Sequence, residues 1–595
     1  MSFRRLLLAA LVALLGPTAH GAELWAGSSC TLTTIQAAVD AAAASGESAN
    51  TIHLLADETY SERVHVDGLN LTLRGASAGC GSVFYVQGAT STIDGTGGSD
   101  ASLLAITGSG TVVLRDLTFQ NGHAFVGGGG GITVAGSGSV SLDNVGVILN
   151  SASDGGGIIA SGQGGSLDVY INEDTLIANN TAQGSGGGIQ IGGSATLHIT
   201  DPDTWIALNH APNGYGGGID VLAPARALIG SPGFHGTPAV YSNNAAYGGG
   251  IAVRGTGSDS ADLGAKVVLF TSDPANPVQV SSNTASVSGG GVYLVPLLDL
   301  SVGSAATLDA YDFIIDDNLA PEGSALALDT WTALGFADDG SKVDLNTGAR
   351  PAGAVACAAN VACSEISRNI AQDAQGQPTL GATILVNTSS SIFSGGLAMH
   401  GNVANFLFHA IGDNDGTGGI QLHNCVTGGN QIARELIKLD GDDNPVVLDQ
   451  CTLAPDIINS QYVIRFDNTS GNILTITNTI IDEPGTLAFY NPGIDLFVDY
   501  VLTNDDTTLP DQVDVILGEP TFVDPANGDY RQTATSLGVD FAPAAGGVDL
   551  DGNPRDVDLP IGNIFGPRDL GAYEAQHVLS CAVGDTIFCD GFDGT

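Results

Sequence analysis

The chain has 595 residues, 84 of them glycine, and carries 63 Asp plus Glu against 17 Lys plus Arg, a formal net charge of −46. A field of that sign repels phosphate backbones and anionic lipid heads, which argues against nucleic acid as a partner and leaves polyuronates reachable only through bridging cations. The glycines are clustered and phased, and the stretches between them are rich in Val, Ile, Leu and Thr, so this composition predicts order rather than a disordered low-complexity chain.

Residues 1–21 read as an export signal: Arg4 and Arg5, an apolar run from Leu6 to Leu15 too short to span a bilayer, then Ala19-His20-Gly21 as a cleavage site. The mature chain is expected to start at Ala22, with no transmembrane segment after signal removal. Thr33 to Ala44 is the one convincing helix, with Ile35, Ala38, Val39 and Ala42 on one face, and it suits an N-terminal cap over a strand stack. Strand signals follow at Thr51-Ile-His-Leu-Leu, Val64-His-Val and Leu69 to Arg74. From residue 101 three short strands recur per unit, as in Ser102 to Ile106, Thr111 to Leu117 and Gly131 to Val134.

One phrase then repeats. An Asn precedes a block of glycines and an apolar residue at Asn121…Ile132, Asn150…Ile158, Asn180…Ile189, Asn209…Ile219, Asn244…Ile251 and Asn283…Val292. The apolar residues are 26, 31, 30, 32 and 41 positions apart, a period that means stacked coils. Parallel strands joined by right-handed crossovers predict an all-β fold, a right-handed parallel β-helix. The glycines supply sharp turns, and the Asn residues predict an inter-coil amide ladder. The same pattern predicts a second ladder through Asn424, Gln450 and Asn478. The organisation expected is signal 1–21, cap and first coils 22–100, coils 101–504 with 329–380 irregular or inserted, a C-terminal cap 505–576, and a Cys-bearing tail 577–595.

Eight cysteines suit an oxidising compartment. They fall in local pairs: Cys30 with Cys80, Cys357 with Cys363, Cys425 with Cys451 about one coil apart, and Cys581 with Cys589. Calcium is the one cofactor suggested and none is required. The loops at Asp413 to Gly416, at Asp440, Asp442 and Asp443, and at Asp549, Asp551 and Asn553 each offer several oxygens, though none has EF-hand spacing and Asx turns are the plainer explanation. Tyr215 and Tyr247 each precede a glycine block and share a row, which fits either stacking on sugar rings or an aromatic ladder between coils.

The Asn…Gly-Gly-Gly-Ile repeats resemble those of secreted bacterial right-handed β-helix proteins, including the polymorphic outer-membrane proteins. Gly528-Asp-Tyr-Arg531, Asp549 to Arg555 and Asp569 to Glu574 resemble the terminal block of the choice-of-anchor Q proteins. These resemblances imply the fold and export to the surface or exterior of a Gram-negative bacterium. The same solenoid is the pectate-lyase-like fold, so polysaccharide lyases and hydrolases enter as rivals. Asp57 to Glu62 faintly resembles the entry motif of pectin methylesterases, but the Gln-bearing catalytic motifs are missing, and no catalytic set is assigned. Arg434 and Arg465 are the cations open to a lyase. The expected function is a non-catalytic, adhesin-like or carbohydrate-contacting surface protein whose partner is a polysaccharide or a host or matrix surface. The alternative is a diverged polysaccharide lyase or glycoside hydrolase.

Overall fold

A computed structural model describes residues 21–576, apart from 202, 231–238, 256–263, 271–276, 300–301, 305, 330–341, 346–363, 374, 388–389, 413–418, 468–470, 491–492 and 510–513. The export signal, the Cys357–Cys363 and Cys581–Cys589 pairs, the loop at 413–416 and the tail lie outside the described residues. What is described is a right-handed parallel β-helix. The coil from Ile219 shows its plan: strands Ile219–Leu222, Arg226–Ile229 and Ala239–Tyr241, a corner at Ser242 and Asn243, the short strand Asn244–Tyr247, then Gly248 to Gly250. Each strand pairs in parallel with its equivalent one coil on, as Ile219 with Ile251, Arg226 with Lys266, Ala239 with Gln279 and Asn244 with Thr284. Alternate residues point inward, and Ile219, Val221, Ile251 and Val253 are fully buried in one core that runs the length of the stack.

One corner carries the amide ladder. Asn150, Asn180, Asn209, Asn243, Asn283, Asn318, Asn369, Asn402 and Asn430 are each at most 1% exposed. Each side chain donates to the side-chain oxygen of the next, at 3.0 Å from Asn180 to Asn209 and 3.1 Å from Asn243 to Asn283. The same oxygen accepts the backbone N–H of the preceding rung, and the amide also donates to a strand carbonyl, so each ladder amide is satisfied. The residue before each Asn is left-handed, including Leu149, Leu208 and Arg368 at φ of 58, 56 and 53°. That conformation costs a non-glycine residue roughly 1–2 kcal/mol, which the ladder's hydrogen bonds offset.

Two expectations are corrected here. Asn243, not Asn244, is the rung, and Asn121 is not one: it sits at φ 59° and bonds to Asp94, while Gly122 opens the ladder by donating its N–H to Asn150. Asn424, Gln450 and Asn478 form no second ladder. All three occupy left-handed corners, with Asn478 donating to Asp449 and Asn424 to backbone carbonyls.

The glycine block is dictated position by position. At Gly186 φ is +68°, while a Cβ at Gly187 would lie 2.4 Å from the Gly217 carbonyl oxygen and one at Gly188 would lie 2.9 Å from the Asn209 amide nitrogen. The block therefore exists so that one coil's turn can lie flat on the next and leave room for the ladder.

The N-terminal helix runs Ile35–Ser45, buries the four residues expected, and is capped by Thr34 through Ala37 and ended by Gly46. The Glu62 carboxylate accepts the N–H groups of Ile35 and Gln36 at 2.8 and 3.0 Å, and the Tyr60 hydroxyl bonds Ala26 and Leu55, so this segment holds the cap in place. At the other end, residues 519–576 lie along the flank of the stack. Tyr530, Leu550 and Ala572 pack on the small outward side chains Ala398, Val426 and Ala454. Arg555 donates to Asn424, and the Ala572 N–H to Thr452. Two disulfides are present among the described residues: Cys30–Cys80 with Cα atoms 5.4 Å apart, and Cys425–Cys451 at 4.5 Å on adjacent coils.

Candidate functional site

The first strand of each coil brings one position that faces away from the main core into a line over ten consecutive coils, and seven of its ten residues are buried. The register reads Gln190, Asp220, Ala252, Tyr293, Ala327, Leu385, His409, Lys438, Arg465, Tyr490. At one strand spacing per step this line is about 43 Å long. It is aromatic at one end and charged at the other.

Tyr215 and Tyr247 lie over the aromatic end. Their short strands pair them directly, and the rings stack with centroids 5.0 Å apart at 20°. Tyr293, which the sequence did not single out, closes a three-ring cluster, tilted at 5.1 Å from Tyr247 and 5.9 Å from Tyr215. The guanidinium of Arg254 lies over the ring of Tyr215 at 4.4 Å and makes a two-pronged pair with buried Asp220, 2.7 and 2.6 Å, which Gln190 also contacts at 2.9 Å. The Tyr293 hydroxyl donates to Asp329 at 2.7 Å, and burial followed by the Asp329 charge holds this phenol protonated. Ring faces are thus spent on ring faces, and Tyr215 and Tyr247 are each half-buried.

The charged end is built on three coils. Lys438, with its side chain 3% exposed, is gripped by Asp440 at 2.7 Å and by Asp467. His409 reaches Asp440 at 2.8 Å, and that hydrogen bond, with the neighbouring ammonium, holds the Asp440 carboxyl well below the ordinary range. Arg465 bonds Asp467 at 2.7 Å and reaches Glu435, which is 2% exposed and also faces Arg434. Aromatic rings flank these charges, with Arg434 over Phe406 at 5.4 Å, Arg465 over Tyr490 at 5.6 Å and Tyr462 beside Tyr490 at 5.1 Å. Arg434 and Arg465 therefore come together with two aspartates and a histidine. Lys438, His409 and Glu435 were not foreseen, because only the coil register shows that His409 and Lys438 share a row with Arg465 and that Glu435 lies beside it.

The oxygen-rich loops have protein partners. Asp440 is engaged as above, and the turn at Asp442 and Asp443 leads into Asn444, whose N–H is accepted by the Asn472 side chain at 2.7 Å. Asp549 accepts the N–H groups of Asn553 and Glu574 at 2.7 and 3.0 Å, and Arg531 holds Asp551 at 2.6 and 3.1 Å. Among the described residues no group of three or more His, Cys, Asp or Glu side chains is placed to hold a metal ion.

No protein-family model matches the chain, and no curated protein does. Among solved structures, the tailspike protein of E. coli bacteriophage HK620 in complex with a pentasaccharide aligns over 81% of this chain and 73% of its own, at 11% identity and a TM-score of 0.26. A single-mutant form of that tailspike in the same complex gives 10% identity and 0.25 over the same shares. The overall superposition is low.

Proposed function

We propose that this chain is an exported, non-catalytic surface protein that lies against polysaccharide along the strip just described. The observation that supports this is the pair of clusters at the two ends of that line: Tyr215 and Tyr247 beside the planar ion pair of Arg254 with Asp220, and Tyr462 and Tyr490 beside that of Arg465 with Asp467. Phenol hydroxyls and paired planar charges are groups that sugar hydroxyls engage by hydrogen bonding. Because the coils fix their spacing, an extended chain can be met at several rungs with little ordering cost to the protein. The pairing of each cation with a carboxylate favours neutral or weakly charged glycans over polyuronates.

Affinity gel electrophoresis of the full chain through a panel of neutral and acidic polysaccharides tests this. At least one neutral polysaccharide retards the protein, and the Tyr247→Ala/Arg465→Ala double variant migrates faster in the same gel. Unretarded migration through every polysaccharide ends the proposal.

A second reading is favoured by one observation, the buried Lys438 ammonium between Asp440 and Asp467 beside His409. That grouping places an acid, a base and a cation within hydrogen-bond reach and suits cleavage of the bound chain. New reducing ends or unsaturated-product absorbance, lost in Lys438→Met, would establish cleavage in place of simple binding.

A further inference from the structure

On a different face, a cleft of about 630 Å³ opens where the flank-covering segment stops short of the stack. Its floor is coil, with Glu365 and His400 on adjacent rungs, and its wall is the turn Pro525–Asn527 and the strand Asp529–Gln532. Tyr530 enters because position 428 is glycine: a Cβ there would lie 2.3 Å from the phenol ring. Tyr530 is 7% exposed, yet its hydroxyl lines the cleft with no hydrogen-bond partner among the described residues. A hydroxyl on the cleft wall without a protein partner is open to a ligand oxygen or nitrogen.

The charge balance defines what fits. Glu365 bonds His400 at 3.1 Å, and that bond, with the neighbouring cations, keeps its carboxyl below the ordinary range. Arg531 is consumed by Asp551 at 2.6 Å and Asp529 at 3.0 Å, and its guanidinium covers the Tyr573 ring at 5.3 Å. Among the lining side chains three carboxylates therefore face one guanidinium and one imidazole, and Arg368, 3.7 Å from Glu365, is itself held by Asp316 and Asp317. An anion meets no free donor of matching charge, whereas a cation meets the second oxygens of Glu365 and Asp529. The volume lies in the range of small-molecule sites, roughly 300–1,000 Å³.

We propose that this cleft binds a small polyhydroxylated ligand carrying a primary ammonium group, of which a free hexosamine is the simplest. The ammonium sits against Asp529 and Glu365, and a ring hydroxyl pairs with the Tyr530 hydroxyl. This site is separate from the polysaccharide strip and does not depend on it.

Isothermal titration of the full chain with D-glucosamine, D-glucose and N-acetyl-D-glucosamine near pH 6.5 at low salt tests it. Glucosamine binds saturably, and the two neutral sugars bind at least about tenfold more weakly, the difference shrinking as salt screens the carboxylates. Asp529→Asn weakens glucosamine at least about tenfold and Tyr530→Phe about fivefold, both with unaltered melting, consistent with one charged and one neutral hydrogen bond. Equal binding of glucose, no saturable heat from glucosamine, or full affinity in the Tyr530→Phe protein overturns the proposal.

Discussion

Asn430 donates its side-chain amide to the carboxylate of Asp456 at 3.0 Å, so the ladder of amides ends on an acid. The Asp456 N–H in turn donates to Glu483 at 3.0 Å, while the second oxygens of both carboxyls are buried without partners. Burial pushes both carboxyls up, in Glu483 with the added repulsion of Asp456. Asp482 beside them is pushed up to about 6 by burial and by Glu519. An amide at 456 would make the bonds that an ionised carboxylate refuses.

The sign follows from linkage. A carboxyl whose folded value lies above its unfolded value contributes stability that is complete below about pH 4 and lost as pH rises through the folded value. Denaturant midpoints of the native chain therefore carry a term from this group that falls between pH 4 and pH 8. Asp456→Asn continues the ladder by one rung and removes that term. It is expected to gain about 1 kcal/mol at pH 8 and little at pH 4. A variant less stable than the parent at pH 8 would show that the charged form is the one the fold holds.

Neighbouring asparagines separate the ladder from its surroundings. Asn243 makes two bonds to Asn283, at 3.0 and 3.1 Å, donates to Ile206 at 2.9 Å, and accepts two from Asn209. Asn244 is half-buried, and its side chain makes no hydrogen bond among the described residues. Asn243→Ala should cost about 3 kcal/mol or more, since it strands buried partners above and below, and Asn244→Ala under about 1 kcal/mol. Equal losses in urea unfolding would refute the register.

That pair also shows what the sequence could and could not convey. The period, the helix face and the Cys30–Cys80 and Cys425–Cys451 pairings are local or set by one coil length, and they are legible. Which of two adjacent asparagines faces inward is not, because a slip of one residue exchanges the faces of the chain. The ladder also runs on through Asn318, Asn369, Asn402 and Asn430, where the triple glycines have faded but the left-handed corner persists. The flank packing of residues 519–576 is not legible either, because its contacts, such as Arg555 with Asn424 at a separation of 131 residues, have no local signal. The strip suffers the same way. Tyr215 and Tyr247 share a visible repeat position, whereas Lys438 and Arg465 meet only through coil lengths that vary.

The glycine blocks give a steric test. At Gly187 a Cβ would lie 2.4 Å from the Gly217 carbonyl and 2.7 Å from His210 backbone atoms, and nothing there is a flexible side-chain end that can move aside. Gly187→Ala must separate two coils locally, at a cost of about 1–3 kcal/mol for overpacking. Gly164, at φ +74° with open space around its Cβ position, provides the comparison. Gly164→Asn, which tolerates the left-handed region, should stay within about 0.5–1 kcal/mol of the parent. Similar midpoints for both variants would mean that coil spacing yields more readily than close packing allows.

The Cys425–Cys451 bond joins two rungs already held by the pairing of Val426 with Thr452, and both cysteines are fully buried. Its contribution must therefore come mostly from the unfolded chain, where it closes a loop of 26 residues. That loop predicts about 3 kcal/mol, visible as a lower urea midpoint for Cys425→Ala/Cys451→Ala than for the parent. Reductant added to the folded parent should change nothing, because no thiolate can reach the sulfurs, whereas reductant added in urea should reproduce the variant's midpoint. Alkylation of Cys425 and Cys451 in urea without reductant would show that the two sulfurs are neighbours in the stack but not bonded.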